Sequence, residues 1–229
     1  MTEAAKAFAA ELTDEFREKM VDLVDNSYSR EYLSSLGSSE EIIRREFPPL
    51  MWMEYFFGTL PTNRQVVQVY DIGEPFGRDR DIVVGLNEQI REEIKHGRLY
   101  SNLVRPFGVD VDLVTYEPDP SMVEVCRTMV EWDKPHHIAA AFQCSTEIQA
   151  ALKAQKIAEY IEDDYPHISE TLRNHVVSDE GDHIHVGRLL IERFASPDEF
   201  DTLRDIAQRK YEASLNKDRT IRRPRGKDA

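Results

Sequence analysis

The sequence predicts an all-α protein, an up-and-down bundle of about seven helices. Three observations carry that expectation. Four S/T-x-x-E/Q capping boxes recur along the chain, apolar residues in its second half fall at helical spacing, and prolines and glycines gather in one connection, residues 105–120, instead of punctuating short strands.

Taken in order, the first helix is expected over residues 3–27. Ser38 to Glu41 caps a second over 39–58, Thr62 to Gln65 a third over 63–72, and a fourth follows over 80–103. The valines of VVQVYDIG (66–73) admit a strand as the alternative reading. Ser121 to Glu124 opens 122–163, which Pro135 should break near Asp133. A helix over 168–194 comes next. Ser196 to Glu199, with Pro197 in the first helical position where a missing N–H costs nothing, opens the last, 197–216. Residues 1–216 read as one domain, and 217–229 as a basic, flexible tail carrying Arg219, Arg222, Arg223, Arg225 and Lys227.

Composition narrows the function classes. With 41% hydrophobic and 31% charged residues the 229-residue chain can bury a core, and its formal charge of −14 makes nucleic acid an unsuitable partner. No apolar run reaches the roughly 20 residues that a membrane helix needs, and the first residues lack the basic and apolar regions of a signal peptide, so a soluble cytoplasmic protein is expected. Cys126 and Cys144 form neither a disulfide framework nor a C-x-x-C pair.

The chemistry is read from polar residues on stripes that should be apolar. Glu147 is the single charge in the row Ala140, Cys144, Glu147, Ala151, Ala154, Ala158. Ile168, Leu172, Val176, Val186, Leu190 and Phe194 define the next stripe, and Asp179 and His183 fall on it with His175 beside it. A π-bulge between Asp179 and His183 would align His183 with His175. Glu93 and His96 share one helical face as E-x-x-H. Desolvated carboxylates are costly unless paired, protonated or bound to a metal. As a set these residues suit non-haem iron or manganese rather than structural zinc, which favours thiolates. His136, His137, His167 and His185 are set aside as capping or surface residues. Met51, Trp52, Tyr55 and Phe56, in the run PPLMWMEYFFG, either line a substrate pocket or pack in the core.

These segments resemble the haem-oxygenase-like di-iron oxidases and oxygenases, the superfamily that includes the TenA-like and PqqC-like proteins. The resemblance spans most of the chain: YLSSLGSSEEIIRREFPPLMWMEYFF (32–57), REEIKHGRLY (91–100), AAAFQCSTEIQAALKA (139–154) and HVVSDEGDHIHVG (175–187). The family pattern is H-x-x-x-D-x-x-H, and here Asp182 stands where the final histidine is expected. The resemblance implies a haem-oxygenase-like bundle with two irons per chain. Glu93, His96 and His183 would be ligands together with a bridging, catalytic Glu147, and His175 and Asp179 would hold the second iron. It implies O2 as co-substrate, an external electron donor, a small-molecule substrate such as an amino acid or fatty acid, and a homodimer as one assembly; it does not choose among decarboxylation, N-oxygenation, C–C cleavage and desaturation.

A ferritin-like di-iron carboxylate bundle is the competing resemblance. It would use Glu54, Glu93 with His96, Glu147, and Glu180 with His183. Helical phase speaks against it, because Glu180 should be rotated about 100° from the stripe that holds Asp179. Two further classes stay open. One is a metal-free hydrolase of the TenA type with Cys144 as nucleophile beside Glu147, although an apolar stripe raises a thiol's pKa. The other is a helical partner protein without catalysis.

Overall fold

The computed structural model describes residues 2–222, with side chains through residue 219. Among the described residues there is no strand, and the chain forms seven long rods and one short helix. α1 is Glu3–Ser27, capped by the Thr2 hydroxyl, and the short α2 is Arg30–Ser35. α3, Ser39–Met53, starts at the expected capping box of Ser38 and Glu41. It continues through a π-helical turn, Glu54–Gly58, into α4, Thr59–Ile72. The Thr62 box is therefore no helix start: the Thr62 hydroxyl donates to the Gly58 carbonyl inside the rod. The valines of α4 are helical, and Val69 packs in the core.

α5 is Arg80–Val104, and the connection to α6 is irregular beyond a short 3₁₀ turn, with Gly108 left-handed at φ 74°. α6, Pro120–Val130, starts two residues before the expected box, because Asp119 caps it and Pro120 takes the first position. The break before Pro135 is present: α7, Pro135–Ala141, runs through a second π turn, Phe142–Thr146, into α8, Glu147–Ile161. α9, Pro166–Leu172, passes through a third π turn, Arg173–Val177, and reaches α10, Glu180–Phe194. The Ser196–Glu199 box forms, but it opens a 3₁₀ turn that leads into α11, Phe200–Arg222. α11 passes residue 216, and Lys217 and Asp218 are buried; residues 223–229, with most of the basic tail, lie outside the described residues.

α5 packs against α3, α4 and α10, while α7 packs against α10 and α11, and α1 against α8 and α10. Two large apolar clusters result. One joins α1, α7, α10 and α11 around Phe16, Ala140, Cys144 and Leu190; the other joins α3, α8 and α9 around Phe47, Met51, Ile157 and Leu172. Small residues of α7 let neighbours approach closely, and a Cβ on Gly187 of α10 would stand 2.2 Å from the Gln143 Cβ. Between the two clusters α3, α5, α8 and α10 each turn acidic or imidazole side chains inward. No described helix is long and apolar enough to cross a membrane.

Candidate metal centre

Six ligand-type side chains meet in the interior. Glu54 opens the π turn after α3, Glu93 and His96 stand on α5, Glu147 begins α8, and Glu180 and His183 stand on the first turn of α10; all six are buried. They form two groups with ligand atoms within 4.8 Å of one another: Glu54, Glu93 and His96, and Glu93, Glu147 and His183. Glu93 belongs to both. His183 Nδ1 lies 3.0 Å from Glu180 Oε2, 3.4 Å from Glu93 Oε1 and 3.9 Å from Glu147 Oε1. His96 Nδ1 lies 3.8 Å from Glu54 Oε2 and is buried without a hydrogen-bond partner.

The far nitrogens of both imidazoles are held from outside the cluster. His96 Nε2 is 2.6 Å from the His175 carbonyl and 3.1 Å from Asp179 Oδ2, so it donates outward and leaves Nδ1 facing Glu54. His183 Nε2 is 3.1 Å from Glu92 Oε2. The two E-x-x-H motifs thus brace each other: the acid preceding Glu93 holds the histidine of α10, and the acid preceding Glu180 holds the histidine of α5. Such outer partners fix the orientation of metal-binding imidazoles.

Electrostatics follow from burial. Desolvation, with Glu54 beside it, pushes Glu93 well above the usual carboxylate range, and desolvation with Glu180 and Glu93 does the same to Glu147. Burial opposes charging of His96, yet the carboxylates of Glu54, Glu180 and Glu93 outweigh it and raise its pKa to about 10. His183 is raised in the same way, chiefly by Glu180 and Glu92. Without a cation the cluster must hold protons. Burial also acts on Asp179, but Lys95 and His96 outweigh it and lower its pKa.

The structure therefore brings together Glu93, His96, Glu147 and His183 and leaves two expected residues outside. The His175 side chain is exposed and only its carbonyl is used. Asp179 lies on the outer side of His96, bonded to Lys95. The phase expectation for Glu180 is corrected: it is 1% exposed and contacts His183. The cause is the π turn at Arg173–Val177, one turn earlier than expected; from Asp179 to His183 the bonding is helical, with His183 N donating to the Asp179 carbonyl. One extra residue in that turn rotates everything after it, so Val176 is followed on the inner face by Glu180 rather than Asp179. Glu93 rather than Glu147 occupies the shared position. Glu54 and Glu180 are the pair that the ferritin-like alternative names and that helical phase set aside; Glu54 is the lone acid of PPLMWMEYFFG, and Glu180 repeats the E-x-x-H spacing.

Met51 and Trp52 pack into core clusters, Tyr55 covers Gly97, and Phe56 is 45% exposed. A groove of about 990 Å³ is lined by other residues, among them Ile90, Arg91, Glu92, Lys95, Arg98 and His175, on the outer side of both imidazoles. Cys144 is wholly buried against Thr13, and burial pushes its thiol up to about 11, which suits packing rather than nucleophilic attack. His136 and His137 both reach Glu199, which Lys134 also binds at 2.6 Å. Comparison of the chain with protein-family models, curated proteins and solved structures finds no match.

Proposed function

We propose that the chain is a non-haem di-metal oxidoreductase, with iron as its metal and manganese as the nearest substitute. The observation that carries the reading is the buried His96 Nδ1, which has no partner, faces Glu54, and belongs to a set of four carboxylates and two imidazoles drawn from four helices. Oxygen and imidazole donors without a thiolate suit iron and manganese. Four ionised carboxylates carry a formal charge of −4, which two divalent ions would neutralise; without them the desolvation of Glu93 and Glu147 has no compensation but protons. The pattern Glu54, Glu93 with His96, Glu147, Glu180 with His183 is the arrangement that helical bundles use for two metals, and it favours the ferritin-like assignment over the haem-oxygenase-like one.

Bound iron would supply the electrons that reduce O2 while a small molecule is oxidised. The chain's own part is to hold the ions and exclude water. Glu93 would serve both ions, Glu54 with His96 one of them, and Glu147 and Glu180 with His183 the other. Asp179, the His175 carbonyl and Glu92 would keep both histidines in the tautomer that presents Nδ1. The substrate is a small molecule, and the electrons come from an external donor. Metal analysis after growth in iron, followed by ferrous reconstitution under O2 with ultraviolet–visible spectroscopy, tests this. About two irons per chain are expected; a protein that takes up no iron or manganese under either condition refutes the proposal.

A further inference from the structure

Three glutamines link the candidate centre to the break before α7, and all are wholly buried: Gln65 on α4, Gln143 in the second π turn and Gln89 on α5. Gln65 Nε2 donates to the Pro135 carbonyl at 3.0 Å and to Gln143 Oε1 at 3.0 Å. Gln143 Nε2 donates to Gln65 Oε1 at 2.7 Å and to Gln89 Oε1 at 3.2 Å. Gln89 Nε2 then donates to Glu147 Oε1 at 2.6 Å and reaches Glu93 Oε1 at 3.5 Å.

The direction of this chain is fixed at its Pro135 end. A proline carbonyl can only accept, so Gln65 Nε2 faces it and each later amide follows in turn until Gln89 Nε2 faces Glu147. Turning the Gln89 amide over would set its oxygen against Glu147 and its NH2 against that of Gln143, leaving buried groups unpaired at considerable cost. Each amide has both hydrogens directed at an acceptor, and the last pair points at two carboxylates of one metal group. Among the described residues no amide is aimed at Glu54 or His96, the two members that belong to the other group alone, and His96 Nδ1 lacks a hydrogen-bond partner. The two halves of the cluster are therefore unequally prepared.

Resting on the di-metal reading above, we infer that Gln89, aligned by Gln143 and Gln65, is a positioning residue that holds the Glu147 and Glu93 carboxylates in orientation and makes the Glu93–Glu147–His183 position the tighter of the two. Gln89 touches neither metal; it acts through the carboxylates, as outer partners of metal ligands do.

The test is Mn(II) and Co(II) titration of the metal-free protein, followed by the visible spectrum of Co(II) and by calorimetry. Wild type should bind two ions in unequal steps. Gln89→Met, similar in length and apolar, should weaken the first step about 10- to 100-fold and change the Co(II) spectrum of that step. Gln65→Met, remote from both metal groups, should shift the same step in the same direction by a smaller factor. If Gln89→Met is misfolded by circular dichroism, Gln65→Met decides. Unaltered first-step affinity and spectrum in the folded variants would overturn the inference while leaving the di-metal reading intact. Absence of uptake by the wild type would instead remove the reading on which it rests.

Discussion

A single rotation of 100° separates Asp179 from Glu180, and it divides the residues that face the centre from those that support it. Glu180→Ala should abolish uptake of at least one ion, because Glu180 stands 3.0 Å from His183 Nδ1 inside the cluster. Asp179→Asn should retain binding with about 10- to 100-fold lower affinity, since Asp179 only orients His96. His175→Ala should change little, because the contact comes from its carbonyl. Iron and manganese stoichiometry of the three variants checks the order; equal loss in Asp179→Asn and Glu180→Ala would contradict it. Away from the centre, Lys210 is wholly buried beside Gln149, and desolvation lowers its pKa to about 7. Between about pH 7 and the ordinary lysine value the unfolded chain binds a proton that the folded chain has released, so this group makes stability rise with pH. Lys210→Met should remove that slope in thermal melts and stabilise the protein near pH 7 by roughly 1–4 kcal/mol.

Three π turns, each in a rod that carries metal-type ligands, set the phase of the elements. Glu54 opens the first, Glu147 follows the second directly, and Glu180 follows the third by three residues. Each extra residue breaks the regular repeat at the point where an acid must face inward, and such turns are frequent at functional sites. Deleting exposed Asn174 should convert the third turn to regular helix and rotate Glu180 and His183 against the residues before them. The expected result is unchanged helicity by circular dichroism with loss of metal uptake; retention of two ions would show that the turn does not set the phase. The helix start at Ser38 follows from capping chemistry alone, but a π turn has no comparable composition signal. That is why the sequence placed Asp179, not Glu180, on the inner stripe.

At the scale of the whole molecule, a bundle that buries this many acids is destabilised by its own centre unless a cation or protons neutralise it. Glu93 and Glu147 have folded pKa values raised above the ordinary carboxylate value, so the folded chain holds protons that the unfolded chain has lost, and their stabilising contribution declines as pH rises above about 4.5. Protons and cations compete for the same oxygens. At one fixed concentration, a hundredfold excess over the Kd at pH 7, Mn(II) should accordingly raise Tm by about 5–10 °C at pH 7 and by less at pH 5; calorimetric scans at the two pH values check it, and an equal gain would show that the cation binds elsewhere.

The sequence by itself determined the all-α class, the place of most helices, the break at Pro135, and four of the six inward residues, because apolar periodicity, caps and prolines act within a turn or two of the chain. Only the tertiary structure decided that Glu54 and Glu180 complete the set, that Glu93 is shared, and that Glu92 and Asp179 brace opposite histidines. Those facts depend on phase changes at the π turns and on distances between helices far apart in sequence, which no local preference encodes.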